Sequence, residues 1–158
     1  MTLLAVSHHK QQQSSDCLAA CAAMVLQHLA IPIKYTQLIK LLGITEYGGI
    51  FSHIKRLESL GVSVFIGAGK ADLIDGDEEK TLHHHLSLGL PLLASVETRW
   101  LDHWDVDTYH VVVVIGIAGD IVYVNDPYFD SSPIPVPLIS FLSAWIEQKT
   151  LYAIIAHS

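Results

Sequence analysis

The order of hydrophobic and polar residues divides the chain into a helical first half and a stranded second half. From Cys17 to Ala30 nearly every residue is apolar or small, as in Cys17-Leu18-Ala19-Ala20-Cys21-Ala22-Ala23-Met24-Val25-Leu26. Such a run predicts a helix buried on most of its faces. Asp16 stands directly before it and is expected to act as its N-cap, the carboxylate accepting a free backbone N–H. Ile31-Pro32 ends the helix. A second, short helix is predicted over Tyr35–Leu42, stopping at Gly43. Apolar residues at Ile50, Ile54, Leu57 and Leu60 then make a third helical stripe closed by Gly61. Gly48-Gly49, just before that stripe, reads as a turn.

In the second half the pattern changes to short apolar runs rich in β-branched residues. Val62–Ile66, Leu92–Val96, Tyr109–Ile117, Ile121–Asn125 and Leu151–Ala156 are predicted strands. Gly119-Asp120 makes a tight hairpin turn between two of them. Leu82–Leu88 is predicted as a helix ending before Gly89, and Leu138–Ile146 as a late helix started after Pro137. Asp72–Lys80 reads as a charged loop in solvent. With no repeat, linker or low-complexity segment, residues 1–158 are expected to form one α+β domain, an N-terminal helical half packed on a C-terminal antiparallel sheet.

Composition narrows the partners. The chain has 158 residues, 51% hydrophobic and 16% charged, enough for one proper core. A formal net charge of −7 argues against nucleic acid, because phosphate binding needs a basic face. The first ten residues lack a charged n-region and their apolar run is too short for a signal peptide. No stretch approaches the roughly 18 apolar residues of a membrane span, so a cytoplasmic protein is expected. Cys17 and Cys21 lie one helical turn apart, where parallel Cβ vectors make a poor disulfide, so both are expected as free thiols. His83-His84-His85 point about 100° apart around a helix and cannot share a tetrahedral metal site by themselves. They read as a solvated face, and no metal or cofactor is expected.

Three residues carry chemistry when taken together. Cys17 opens a helix, where the macrodipole and free N–H groups favour a thiolate. His110 lies on a strand, and Asp126 follows the next strand across the Gly119-Asp120 hairpin. Antiparallel strands joined by that turn can bring His110 and Asp126 side by side at one end, given a bulge or a stagger of a few residues. Singly each residue means little: a free cysteine is most often a small buried hydrophobe, a strand histidine has a satisfied hydrogen bond, and Asp-Pro is turn chemistry. As a set they are the parts of a cysteine-nucleophile triad.

At these residues the sequence resembles the papain-like C39 peptidases, which include the leader-cleaving domains of bacteriocin-exporting ABC transporters. Gln11, Asp16, Cys17 and the small-residue helix Ala19–Met24 match that family's start. Tyr35–Gly43 and Gly49–Leu60 match its next helices, and His110-Val111-Val112-Val113 with Asn125-Asp126-Pro127 match its His and Asp-Pro signatures. The resemblance implies a papain-like fold, with Cys17 as nucleophile, His110 as general base and acid, Asp126 as the orienting residue and Gln11 as oxyanion donor. It also implies a peptide or protein substrate, hydrolysed through an acyl-enzyme after small residues such as Gly-Gly. Leu18 stands where many relatives have Gly, and a side chain there is expected to narrow the cleft or cover the thiol. No ATPase motif accompanies the match, so a stand-alone relative is expected. Two alternatives use the same groove: a catalytically silent peptide-recognition domain, and an acyl transferase with the same triad. The loop Glu97–Thr108, with Trp100, Trp104 and several acidic residues, is expected to form either a packed surface loop or a cleft wall favouring a basic or apolar segment.

Overall fold

A computed structural model describes residues 2–158. The helical half contains α1 (Cys17–His28), α2 (Tyr35–Leu42) and tightly wound 3₁₀ turns over Phe51–Leu60. Helix α1 ends earlier than its hydrophobicity extends, because Ala30 adopts a left-handed φ of 59° and the Ile31 N–H bonds back to the Leu26 carbonyl. The remaining helices are α3 (Glu78–Ser87) and α4 (Leu138–Ile146). Seven strands form one antiparallel sheet: β1 (Thr2–Leu3), β2 (Val62–Gly67), β3 (Leu92–Glu97), β4 (Tyr109–Ala118), β5 (Ile121–Asn125), β6 (Ile134–Pro137) and β7 (Tyr152–His157).

The main path runs β2-β7-β3-β4-β5-β6, and β1 pairs with β4 beyond the stretch that β3 occupies. Strand β4 is therefore central, and it is buried from His110 to Ile117. Its alternate residues feed two cores. Val111, Val113 and Ile115 pack with α1, α2 and the 3₁₀ turns. Val112, Val114 and Ile117 pack with Leu82 and Leu86 of α3 and with Phe141 and Trp145 of α4. The unbroken valine run follows from this: both faces of β4 are covered, so neither needs polar residues. The expected helical half is thus joined by two later helices on the opposite face.

Three local expectations are corrected. Helix α3 begins at Glu78, inside the stretch read as a solvated loop, because the Asp77 carboxylate caps it by accepting the Lys80 N–H at 2.8 Å and Glu78 and Glu79 suit the positive end of the helix. Strand β6 is not signalled by the pattern because Pro135 and Pro137 break the strand signal; β6 lies at the sheet edge, where missing N–H groups cost nothing. Asp16 does not cap α1. Its carboxylate turns back and accepts the Gln12 and Gln13 N–H groups, both at 3.0 Å, and the Tyr35 hydroxyl at 2.7 Å.

Candidate active site

The β4–β5 hairpin sets the geometry. Its ladder runs from Ala118↔Ile121 to Val113↔Asn125, with a register shift between Val114 and Gly116. Beyond Asn125 the pairing stops, so His110 on β4 and Asp126 just past β5 lie at the same end of the sheet. The His110 Nε2–H donates to Asp126 Oδ1 at 2.7 Å. Both side chains are buried, at 5% and 0% exposure, which strengthens the interaction and makes an unmet lone pair costly.

Asp126 is also held by groups that no sequence spacing announces. Its Oδ1 accepts the Tyr128 N–H at 3.1 Å, and its Oδ2 accepts His103 Nε2–H at 2.9 Å and Trp104 Nε1–H at 2.8 Å. The Trp104 ring stands edge-on to His110 with centroids 4.7 Å apart, shielding the pair from water. Burial by itself would raise the Asp126 pKa, but hydrogen bonds from His103 and His110, the His110 charge and Trp104 outweigh it and hold the carboxyl well below the usual range. The imidazole shows the complementary balance. Burial pulls the His110 pKa down, while hydrogen bonds and charges from Asp126 and Cys17 push it up to about 9. At neutral pH the imidazolium is the favoured form.

Cys17 is the first residue of α1, is half-buried and lies beside this imidazole. Cys21, one turn later, is fully buried, donates its thiol to the Val111 carbonyl at 3.3 Å and has its pKa pushed up by burial first and by Cys17 and Asp126 after it. Both thiols are free. Gln11 is 7% exposed in the loop before α1; its backbone N–H bonds the Pro127 carbonyl and one amide N–H donates to Gln13 O at 2.6 Å. Its amide oxygen Oε1 is buried and has no hydrogen-bond partner.

A groove of about 460 Å³ opens over Cys17 and His110, walled by Tyr47 and Gly49 on one side and by Ser95 and Tyr109 on the other. Leu18 does not cap the thiol. It is 2% exposed and turned into the core, where its Cδ2 would lie 3.2 Å from a Cβ placed on Gly49. The tryptophan loop is also repositioned. Trp104 packs inward on His110, Tyr128 and Phe129, and Trp100 donates to Glu147, which also pairs with Arg99. Neither indole lines the groove; of this loop, Thr108 does. Of the adjacent histidines, His83 faces Glu79 at 3.7 Å, while His85 is half-buried and its pKa is lowered, by burial first and then by His84.

The profile of the Peptidase_C39 like family matches residues 3–152. The chain belongs to that family. Among solved structures it resembles a candidate C39-like peptidase from Bacillus anthracis, with a TM-score of 0.79 at 18% identity over 100% of this chain and 98% of that one. A double glycine motif protease from an AMS/PCAT transporter, solved with its leader peptide, gives 0.70 at 16% identity over 100% and 99%. The peptidase domain of Streptococcus ComA, a bi-functional ABC transporter of a quorum-sensing pathway, gives 0.69 at 18% over 99% and 98%. At these identities the likeness is one of fold. No curated protein sequence matches. No helix among the described residues is long and apolar enough to cross a membrane.

Proposed function

We propose that this C39-like protein is a cysteine peptidase that hydrolyses peptide bonds through an acyl-enzyme on Cys17. One observation carries the reading: the buried His110–Asp126 contact of 2.7 Å stands beside a half-buried thiol at a helix start, and both open onto one groove. The Cys17 thiolate attacks the scissile carbonyl, and His110, held as imidazolium by Asp126, gives its proton to the departing amine. Water then enters, His110 takes its proton, and the thioester is cleaved to release the acid and restore the thiol. Asp126 keeps the Nε2–H on its own side, so the other ring nitrogen faces the sulfur.

The Gln11 side-chain amide and the backbone N–H of Cys17 are the donors for the oxyanion, a contribution of about 3–4 kcal/mol where one donor is lost. The bond cut follows small residues such as Gly-Gly. The neighbour solved with a leader peptide is described as a double glycine motif protease, which supports a peptide substrate in the same groove. Free thiols at Cys17 and Cys21 suit a reducing, cytoplasmic setting.

The test is labelling with a peptidyl electrophile ending in Gly-Gly. Rapid labelling at neutral pH is expected for the intact protein, none for Cys17→Ala, and labelling slowed by about 100-fold or more for His110→Ala. Equal labelling of the intact protein and His110→Ala would overturn the reading. Mass spectrometry of peptide products then separates hydrolysis, which adds water, from transfer to an amine.

A further inference from the structure

We propose that His103 is a positioning residue, locking the Asp126 carboxylate so that one fixed oxygen meets His110. The inference rests on the reading of Cys17, His110 and Asp126 as the reacting groups. A carboxylate past the end of a strand can turn about its last side-chain bond and exchange its two oxygens. Here the exchange is blocked by four donors, which fill its four acceptor positions. His110 Nε2 and Tyr128 N bond Oδ1, while His103 Nε2 and Trp104 Nε1 bond Oδ2. Rotation would break all four at once.

The two donors on Oδ2 are not equivalent. Trp104 is fixed by packing between His110, Tyr128 and Phe129, and its indole brings one N–H from one direction. His103 comes from the same loop, with its ring edge against Phe129 at 5.0 Å. Phe129 in turn closes a backbone bond to the Asp126 carbonyl at 3.2 Å, so the brace and the braced residue share one turn. Asp126 is 0% exposed. Without His103, one of the two hydrogen bonds to Oδ2 of this fully buried carboxylate would be lost. The bond at Oδ2 also draws charge from the carboxylate, leaving Oδ1 to hold the His110 proton without removing it. Because the bond must be donated to a carboxylate, the His103 proton sits on Nε2.

Three variants separate donor from packing: His103→Ala, His103→Phe, which keeps a ring without a donor, and His103→Gln, whose amide nitrogen reaches the place of Nε2. Each is measured for kcat and KM on a Gly-Gly peptide and for the far-downfield imidazole proton of the His110–Asp126 bond by NMR. Expected is a loss of about 10- to 100-fold in kcat for His103→Ala and His103→Phe with KM little changed, and a downfield proton broadened by exchange. His103→Gln restores both. The proposal is overturned if His103→Phe keeps full kcat and a sharp proton signal, or if His103→Gln is as impaired as His103→Phe. Should the intact protein neither cleave nor label, the peptidase reading fails by itself, and the NMR comparison still decides the role of His103.

Discussion

Asp16 and Asp126 are both buried aspartates, 3% and 0% exposed, and they do different jobs because different donors face them. Asp16 accepts two backbone N–H groups and a phenol. None of these donors changes charge near neutral pH; burial and then the Asp16 carboxylate hold the Tyr35 hydroxyl un-ionised. That carboxylate folds the Gln loop and fixes the entry to α1. Asp126 accepts two imidazoles and an indole as well as one backbone N–H. Its charge therefore reaches a neighbour that can lose a proton, and it sets that neighbour's affinity. Identical side chains become a loop fastener before α1 and a proton-tuning group beside His110.

The largest effect is expected from Asp126→Asn. It keeps the shape but removes the charge and allows the wrong His110 tautomer, and turnover should fall by about 10⁴-fold. Turnover within tenfold of the intact protein would mean that Asp126 only fills space.

The next test is pH. The His110 pKa is raised to about 9 from an ordinary value near 6.5. The stability this contributes, on the order of 3 kcal/mol, is fully present below pH 6.5 and disappears as pH rises through about 9. Denaturant unfolding at pH 6, 8 and 10 should show the decline, and His110→Gln should flatten it. The Asp126 contribution has the opposite sign: its lowered pKa stabilises the fold above about 3.8 and is lost as pH falls further.

A smaller effect of another kind is expected for Asp16→Ala. Two backbone N–H groups and the Tyr35 hydroxyl lose their acceptor, so stability should drop by about 2 kcal/mol, while the pH at which His110 titrates stays in place. A shift in that titration comparable to the one in Asp126→Asn would erase the distinction between the two aspartates.

Much of the fold was legible because its signals are local. The apolar run of α1, the valine run of β4 and the Gly119-Asp120 turn are each written in neighbouring residues, and together they place Cys17 at a helix start and His110 and Asp126 at one end of a hairpin. The elements misread or missed, α3 and β6, depend on a single cap at Asp77 and on edge position, which periodicity does not record. Asp16 shows the same limit at a single residue. A polar side chain before a helix fits a cap, but the tight Gln loop and Tyr35 of another helix offered it more donors.

The sequence alone determined the α+β pattern and the residues able to meet around a thiol, because helix and strand periods and turn chemistry act over a few positions. Only the tertiary structure decided that α3 and α4 cover the second face of β4, that Leu18 turns into the core and leaves Cys17 open, and that His103 and Trp104 reach Asp126. Those contacts join segments more than twenty residues apart through a loop whose path is set by packing, and packing is a property of the whole chain.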